Sequence, residues 1–547
     1  MLKKSIAIAL ALLLVMGMLA GCGQQSGQQQ QGGEKEQGPK EIAFTISAEV
    51  PSLDPQKATD TYAILVGHHI FEGLVRVHNG EIKPGMAETW EISDDKTTYT
   101  FHLRDAKWSD GKPVTAYDFE YAIKRLLDPN TASEYAFQGY YIVNGEEYNT
   151  GKITDPDQIG VKALDEKTLQ IKLKTPVKYF LSLLNFISFY PVRQDFVEEM
   201  GEKFAADADK LLYNGPFILK EWKHEQELVL EKNPNYWDKD SINIDKVTIY
   251  IVNDANTAWQ MYENGETDWE FIPAELVEQV DSEGRAMYFY DGSEFYLQFN
   301  VKREGKPWLA NENFQRAVGF AIDREALIKA VMKGVSEPAT RYVLPQLEGL
   351  EKTFAEEYPY EFYSKNADVD KAKEYLQKAM QELGISDPSK MTFEYLTDDT
   401  QRAKLTAEFI QDQLEKNLGI KMTVKQVPFK QRLELMTKMD YDVVFAGWGP
   451  DYNDPMTYLD LWVTGGGHND TGWSNKEYDE LIQFAKTTTD FKARADALFE
   501  AEKLLVEHGP IIPIYFRQRA WSCNDRVKGL VTNFIGATFD FVYADVE

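Results

Sequence analysis

Only one stretch of this 547-residue chain is continuously apolar, and it lies at the very beginning. Residues 6–20 carry no charge and follow Lys3 and Lys4, the order of a secretory signal with a basic region before an apolar one. At about 15 residues the stretch is short for a membrane span, and no later segment is long and apolar enough to form one. The rest of the chain must therefore bury its own core, for which 43% hydrophobic residues suffice.

A cysteine closes the apolar stretch, behind three small or apolar residues in the tetrad Leu19-Ala20-Gly21-Cys22. The tetrad resembles the lipobox of bacterial lipoproteins, in which the cysteine receives a diacylglyceryl group and becomes the first residue after cleavage. This resemblance implies a signal at 1–22 and a lipid anchor on Cys22. The alternative is an ordinary secretory signal with a chance cysteine. Residues 23–40 are predicted to form a flexible tether, because 23–38 contain no apolar side chain.

Cysteine and charge usage exclude some classes of protein. Cys523 is the only other cysteine, so a lipidated Cys22 leaves no intramolecular disulfide, and we expect a buried free thiol at Cys523. The net charge of −29 disfavours nucleic acid as a partner, since that interaction needs basic surface. It also disfavours docking on anionic lipid by charge alone.

Strand and helix patterns are mixed along the chain. Alternating or short apolar runs predict strands at 42–46, 97–103, 217–230, 247–251, 421–427, 442–446 and, as the last one, 511–516, with two more inside 161–173. Amphipathic spacing with end signals predicts helices at 116–127, 313–333, 371–383, 402–417, 478–487 and 491–508. This mixture predicts an α/β or mixed α+β fold.

Motifs of catalysis and metal binding are missing from the sequence. It contains no GxSxG, HExxH or GxxxxGK[ST] segment, and two cysteines cannot supply CxxC metal spacing. His68 and His69 are adjacent, so they point in different directions and a joint metal site is not expected. We expect no cofactor and no catalytic step. A surface hydrolase remains an alternative without a nucleophile signature to support it.

Short distinctive sequences are spread over the whole region after the tether, at 49–55 (EVPSLDP), 71–74 (FEGL), 86–129, 214–217 (NGPF), 233–237 (NPNYW), 321–324 (AIDR) and 447–455 (GWGPDYNDP). In order and spacing they resemble the oligopeptide- and dipeptide-binding proteins of ABC importers. The resemblance covers the chain from about Ile42 to its end.

The resemblance implies an α/β, two-lobed periplasmic-binding-protein-like fold of class II type, with an additional third domain. Carried over to this chain, domain I combines 42–70, 194–298 and 519–547. Domain II is 71–193 and domain III is 299–518. A ligand would lie where the lobes meet, across hinge segments near Gln298 and Gln518.

The resemblance also implies a binding site around the GWGPDYNDP segment. In this family an aspartate of that segment pairs with the α-ammonium of the peptide, and the matching residue is Asp451; the alternative is a loop aspartate that opens a turn. Gly447 and Gly449 would pair with the peptide main chain, with Trp448 as the wall of a side-chain pocket. The alternative for these three is a tight turn with a core tryptophan.

Further contacts follow from the same resemblance with weaker support. Tyr135, Thr59, Thr61 and Phe429 match family positions that touch the ligand, and each could equally serve the core or the surface. The chain departs from the family at Met436, Thr437 and Phe445, where some members have cationic residues for the peptide's carboxylate. Arg517 is a candidate for that role, or else a surface arginine near Arg519.

These expectations combine into a lipid-anchored extracellular protein that captures extended peptides and delivers them to an ABC importer. Its partners would be the peptide, the permease subunits and the membrane through Cys22, and we expect a monomer at the outer face of the cell membrane or in the periplasm. The open alternatives are the same fold with another solute, such as a nickel chelate or haem, and a peptide-sensing or adhesion lipoprotein.

Overall fold

Two long antiparallel strands, Met287–Phe299 and Ile511–Cys523, form the middle of the largest sheet. The computed structural model describes residues 38–78 and 80–547 and places eleven strands in this sheet. Beyond the first long strand come, in order, Val443–Trp448, Phe393–Asp398 and Met422–Val427. Beyond the second come Trp269–Phe271, Glu41–Ile46, Lys246–Ile251, Glu227–Lys232 and Phe217–Lys223, and Glu337–Pro338 also pairs with it. The predicted signal, Cys22 and residues 23–37 lie outside the described residues.

The fourth to seventh strands of the described chain form a separate antiparallel sheet. Its strands, in sheet order, are Ala87–Ile92, Thr98–Leu103, Thr168–Lys172 and Val161–Ala163. Short two-stranded sheets are formed by Val75–His78 with Glu81–Pro84, Val527–Lys528 with Asp545–Val546, and Val531–Thr532 with Phe539–Asp540. The two predicted strands inside 161–173 are confirmed.

Helices cover the sheets and lie between the strands. Those of six or more residues are Thr61–Ile70, Ala116–Leu127, Gln194–Met200, Ala255–Glu263, Val277–Ser282, Glu312–Ala321, Arg324–Val331, Val369–Leu383, Gln401–Leu418, Phe429–Thr437, Lys476–Thr487 and Phe491–His508. Shorter ones are Gly145–Asn149, Phe180–Leu183, Phe354–Glu357 and Met456–Leu459. Within the described part of the chain, no helix has the length and apolarity needed to cross a membrane.

Helix ends match the predictions where the sequence holds a strong cap. Helix Ala116–Leu127 has the predicted bounds, and the Asp118 carboxylate accepts a 2.8 Å hydrogen bond from the Thr115 N–H at its start. Helix Val369–Leu383 ends at Gly384, which adopts the left-handed conformation with φ +66° that favours glycine. Such local signals decide boundaries without help from the rest of the fold.

The prediction of one helix over 313–333 is wrong. The segment forms two helices, Glu312–Ala321 and Arg324–Val331, with a break at Ile322 and Asp323. Asp323 is extended, and its carboxylate accepts a 2.8 Å hydrogen bond from the Ala326 N–H, so it caps the second helix. The amphipathic pattern continues through the break, which hid it from periodicity alone.

The prediction of a last strand at 511–516 is also wrong in its length. The strand runs on to Cys523, and short strands follow it near the C-terminus. Arg517 and Arg519 made the second half look polar, but these side chains are matched by a buried carboxylate in the neighbouring long strand. Cys523 is a free thiol that is only half-buried, and burial raises the pKa of that thiol to about 12.

Buried ion pairs fix segments that lie far apart in the sequence. Arg125 donates two 2.6 Å hydrogen bonds to the Asp54 carboxylate, which ties the EVPSLDP turn to helix Ala116–Leu127. The Arg341 guanidinium binds the carboxylate of Glu502 on helix Phe491–His508 through Nε at 3.0 Å and through Nη2. Each pair is bidentate, the geometry that best compensates for burial.

Removing one partner of such a pair should destabilise the fold strongly. Glu502 is fully buried and also accepts a 2.8 Å hydrogen bond from the Val343 N–H. We expect Glu502→Ala to lower the free energy of unfolding by about 3–5 kcal/mol, because Arg341 is left buried without its counter-charge. Urea unfolding measures the change. Glu500→Ala on the exposed face of the same helix is the matched control and should change it by less than about 0.5 kcal/mol; equal effects would contradict the prediction.

Candidate functional site

A cavity of about 490 Å³ opens beside the two long strands. Helix Phe429–Thr437, the end of strand Val443–Trp448 and the start of helix Thr61–Ile70 contribute to its wall. It brings together all nine residues predicted to contact a ligand: Thr59, Thr61, Tyr135, Phe429, Gly447, Trp448, Gly449, Asp451 and Arg517. The sequence resemblance therefore selected residues that share one site in space, and their roles toward a ligand are taken up below as a proposal.

Asp451 is a buried carboxyl group in the wall of this cavity. It is 7% exposed, and its N–H donates a 2.9 Å hydrogen bond to the Thr457 hydroxyl, which fixes the loop. The carboxylate accepts from the Gln138 amide at 2.9 Å and from the Tyr135 hydroxyl at 3.4 Å. Burial, reinforced by nearby Asp460, raises the pKa of Asp451 well above its usual range. Within residues 38–78 and 80–547 no Lys or Arg forms an ion pair with it.

The strand that leads to Asp451 presents an open edge to the cavity. It extends to Trp448, further than the predicted 442–446, and Gly447 lies opposite Phe295 of the long strand Met287–Phe299. On its other side, pairing with strand Phe393–Asp398 involves only Val443 and Val444. The backbone from 446 to 449 lines the cavity and has no strand partner on that side among the described residues. Free N–H and C=O groups of this kind can pair with an added extended chain.

Gly447 is a strand residue, so the alternative of a tight turn at this position is wrong. A Cβ atom there would lie 3.0 Å from the Phe295 ring and 3.1 Å from the Glu294 carbonyl oxygen, so packing inside the protein also favours glycine. Gly449 has more room, since a Cβ atom would meet only the Ser293 hydroxyl at 3.6 Å. Trp448 is half-buried, with its ring centre 6.0 Å from that of Tyr135.

The start of helix Thr61–Ile70 places Thr59 and Thr61 in the cavity wall. Asp60 caps this helix by accepting hydrogen bonds from the N–H groups of Tyr62 and Ala63, both at 3.0 Å. Burial raises the pKa of Asp60 to about 6. The sequence alone did not distinguish the capping role of Asp60 from the roles of Thr59 and Thr61.

Phe429 opens the helix Phe429–Thr437 and contacts the same region. Its ring lies edge-on to that of Tyr62, with 5.8 Å between centres, and the guanidinium of Arg432 lies 5.1 Å from its centre. Met436 and Thr437, where the family's cations are absent, also line the cavity. Phe445, the third such position, instead packs its ring 5.6 Å from Phe295 behind the cavity wall.

Arg517 is not a surface arginine. Its Nε lies 2.6 Å from the Oδ2 of Asp291, and its Nη2 donates a 2.9 Å hydrogen bond to the Ser293 hydroxyl. Arg519 donates from Nε to the same Oδ2 at 2.7 Å, so two guanidinium groups share one buried carboxylate. Burial, followed by the repulsion of Arg519, lowers the pKa of Arg517 to about 10. The pair keeps an excess positive charge on this wall.

The cavity wall also contains titratable residues that sequence reasoning missed: Glu134, His468 and Asp470. Glu134 directly precedes Tyr135, and its carboxylate Oε2 lies 3.7 Å from Nδ1 of His468. Burial, followed by the charge of Glu134, raises the pKa of Asp470 to about 7. No local pattern marks these residues, because acidic side chains are common throughout the chain.

The histidine pair takes part in internal packing. His69 Nδ1 lies 2.7 Å from the Leu65 carbonyl oxygen, and its Nε2 accepts a 3.1 Å hydrogen bond from the Phe541 N–H. Both ring nitrogens of His69 are therefore used inside the protein, so His69 has none left for a metal. In the part of the chain that the structure describes, no three His, Cys, Asp or Glu side chains are grouped as metal ligands.

A comparison with protein families decides the classification. The family model described as bacterial extracellular solute-binding proteins, family 5 middle, matches residues 81–470, well over half of the chain. The chain belongs to this family. The predicted α/β fold with two lobes and an additional domain is thereby confirmed.

Relatives at clear sequence identity agree with this family. The chain is 37% identical over 504 residues to the dipeptide-binding protein DppE of Bacillus subtilis, covering 91% of this chain and 90% of that protein. It is 37% identical over 508 residues to the oligopeptide-binding protein OppA of the same species, covering 90% of each. The structure of Listeria monocytogenes OppA bound to peptide superposes with a TM-score of 0.88 at 36% identity, covering 93% of this chain and 99% of that one. The two Bacillus relatives are named for the binding of peptides, and this family member is not an enzyme.

The burial of Asp451 has a measurable consequence for stability. A carboxyl group whose pKa is raised on folding binds a proton more readily in the folded protein than in the unfolded chain. The contribution of Asp451 to the free energy of unfolding therefore falls as pH rises above 3.8, the ordinary pKa of the group. Asparagine keeps the shape and can still accept from Gln138, so we expect ligand-free Asp451→Asn to be more stable than wild type by about 1–3 kcal/mol at pH 8. The difference should shrink toward pH 4 in thermal unfolding.

Asp454, three residues further on, provides the matched control. Its carboxylate accepts two 2.8 Å hydrogen bonds from the Arg494 guanidinium, so the folded protein already supplies its counter-charge. Asp454→Asn should destabilise the protein by about 3–5 kcal/mol. If both variants lost stability at neutral pH, a buried Asp451 without a counter-charge among the described residues would be the wrong explanation.

Proposed function

We propose that this protein binds peptides in extended form in the cavity and passes them to the membrane subunits of an ABC importer. Relatives named for dipeptide and oligopeptide binding support the ligand class, as does the Listeria relative bound to peptide. One observation in this chain carries the proposal. Asp451 is a buried carboxylate beside an open strand edge, and among the described residues no Lys or Arg pairs with it. The α-ammonium of a peptide provides a cation for it.

In this proposal, the open strand edge and the charged side chains bind different parts of the peptide. The backbone at Gly447–Gly449 pairs with the peptide main chain, which gives affinity that depends little on sequence. Trp448, Tyr135, Phe429, Thr59 and Thr61 surround the side chains of the peptide. The excess positive charge of Arg517 and Arg519 around Asp291 suits the peptide's carboxylate, with bidentate geometry available. Peptides shorter than the distance between the two charged groups use only one of them.

The order of strands in the large sheet supports the proposed domains. Domain I is 42–70, 194–298 and 519–547, and domain III is 299–518; their strands lie at opposite ends of that sheet. The boundaries at 298/299 and 518/519 fall inside the two long strands. Domain II, at 71–193, contains the separate four-stranded sheet. Closure of the lobes over a peptide would then signal occupancy to the permease.

The proposed location is the outer face of the cell membrane. The N-terminal sequence supports a lipid anchor on Cys22, followed by the tether at 23–40. An acyl chain contributes about 0.8 kcal/mol per buried CH₂, and two chains give a stable anchor. The protein would work there as a monomer beside its permease, without a cofactor.

Removing the charge of Asp451 should weaken peptide binding while the fold remains. Truncating one partner of a buried charge pair commonly costs about 2–5 kcal/mol, so we expect Asp451→Asn to weaken binding of a free tripeptide by about 30-fold or more. Isothermal titration calorimetry measures the dissociation constant. The physical reason is the loss of the carboxylate that pairs with the α-ammonium.

The N-acetylated form of the same tripeptide is the matched ligand control. It lacks the α-ammonium, so it should bind wild type about as weakly as the free peptide binds Asp451→Asn, and the variant should hardly distinguish the two peptides. An unchanged isotherm for the free peptide on the variant would remove Asp451 from the binding site.

Cys22 should be required for attachment to the membrane. Cys22→Ser removes the thiol that would carry the lipid, so we expect the protein to lose labelling by radioactive palmitate and to leave the membrane fraction. Cys523→Ser is the control, because that thiol lies far along the chain in a long strand, and it should keep both labelling and attachment. Labelled or membrane-bound Cys22→Ser protein would contradict the lipid anchor.

A further inference from the structure

Two carboxyl groups beyond Asp451 line the same part of the cavity, those of Glu134 and Asp470. Glu134 precedes Tyr135, whose hydroxyl bonds to Asp451. The ring of His468 lies between these groups, with its centre 4.8 Å from that of Tyr135 and its Nδ1 3.7 Å from the Glu134 carboxylate. The proximity of Glu134 contributes to the raised pKa of Asp470. One region of the wall therefore holds three acidic side chains.

The described residues provide no cation for this region. His468 is neutral at pH 7, because burial lowers the pKa of its ring to about 4. Neither Glu134 nor Asp470 forms an ion pair with a Lys or Arg of the described chain. The other cations at the cavity wall are exposed, as Lys430 is, or already paired: Arg432 with Asp398 at 2.6 Å, Lys438 with Glu434 at 3.7 Å, and Arg517 and Arg519 with Asp291 at 2.6 and 2.7 Å.

Hydrogen-bond acceptors without donors point in the same direction. Gln138 is 1% exposed and donates from Nε2 to Asp451, while its Oε1 has no partner among the described residues. The buried Nε2 of His468 has none either. In the neutral tautomer that carries its proton on Nδ1, the atom facing Glu134, that Nε2 is an acceptor. A buried acceptor without a donor is costly, so two such acceptors close to Asp451 and Glu134 favour a ligand that brings N–H groups.

We propose that Glu134 and Asp470 form a subsite for a cationic side chain, lysine or arginine, near the amino end of the bound peptide. This inference rests on the proposed peptide binding and adds to it a preference for ligand charge. The α-ammonium at Asp451 has three N–H donors and one charge, which leaves Glu134 and Asp470 uncompensated. A second ammonium or a guanidinium compensates them.

The surroundings fit the rest of such a side chain. Trp448, Leu433 and Met436 line the same cavity and present apolar surface for the methylene groups of lysine or arginine. Thr437 adds a hydroxyl 3.5 Å from the Glu134 carboxylate. An apolar wall with carboxylates beside it distinguishes a long cation from both an apolar and an acidic side chain.

The test compares tripeptides that differ in the charge of one side chain. Lys-Ala-Ala, norleucine-Ala-Ala and Glu-Ala-Ala are titrated into the whole protein by calorimetry, and Ala-Lys-Ala locates the position of the subsite. Norleucine has the methylene groups of lysine without its ammonium. Hydrogen bonds to charged groups contribute about 1.5–3 kcal/mol. We therefore expect wild type to bind the tighter of the two lysine peptides with an affinity about tenfold or more higher than its affinity for the norleucine peptide. It should bind the glutamate peptide most weakly.

The ratio of the norleucine to the lysine dissociation constant is the readout for the variants. Glu134→Gln and Asp470→Asn should each lower this ratio, and the double variant should bring it close to one. Glu408→Gln removes the same charge on an exposed helix face away from the cavity, and it should leave the ratio at the wild-type value. Binding of the norleucine peptide also reports that each variant is folded; if the double variant binds neither peptide, the two single variants decide.

Two results would overturn the subsite. One is equal affinity of wild type for the norleucine peptide and for both lysine peptides. The other is a lysine preference that persists in the variants. In either case the norleucine peptide would still bind and would still depend on Asp451, so the proposed peptide binding would stand. If no tripeptide binds wild type, the proposed function itself fails, and the subsite fails with it.

Discussion

The antiparallel pairing of Met287–Phe299 with Ile511–Cys523 is the constraint on which the site depends. These strands lie between the two halves of an eleven-stranded sheet and hydrogen-bond to strands of both halves. The register between them shifts from Tyr290 to Glu294, where Gly292 has φ +76° and a Cβ atom would lie 2.2 Å from the Phe534 carbonyl oxygen. This irregularity directs Asp291 toward the two arginines of the partner strand. This irregularity in the pairing of the two long strands therefore sets the arrangement of charged groups at the cavity wall.

The motifs that resemble the family serve mainly the scaffold. Glu72 of the FEGL motif accepts a 2.6 Å hydrogen bond from the hydroxyl of Tyr236 in NPNYW, and its main chain exchanges two bonds with the amide of Asn214 in NGPF. Arg76 adds an ion pair to the Glu72 carboxylate at 3.1 Å. A buried polar network of this kind tolerates little substitution, because a missing partner leaves a buried charge or a buried polar group unsatisfied. Such motifs identify a fold well and say little about the ligand of a particular member.

Local chemistry was predictable from sequence, and long-range pairing was not. Capped helices such as Ala116–Leu127 appear with their predicted bounds, since the signal lies within a few residues. The break at Asp323 was missed because the amphipathic period continues across it. The second half of Ile511–Cys523 was missed because its arginines are compensated by Asp291, more than two hundred positions away. Family resemblance gathered nine residues around one cavity, but Glu134 and Asp470 stayed hidden among 88 acidic residues with no local pattern to separate them.

The acidic wall relates the charge of the ligand to the proposed closure of the lobes. Glu134 belongs to the segment 71–193, whereas Asp451 and Asp470 belong to 299–518, so in the proposed closure like charges approach one another from separate parts of the chain. Without a cation this approach is unfavourable, through repulsion between carboxylates or through the protonation that relieves it. A ligand shifts a conformational equilibrium only by its difference in affinity for the two states. In the proposed closure, a cationic peptide end would compensate these carboxylates, so the same charges that would disfavour the empty closed cavity would make closure depend on occupancy.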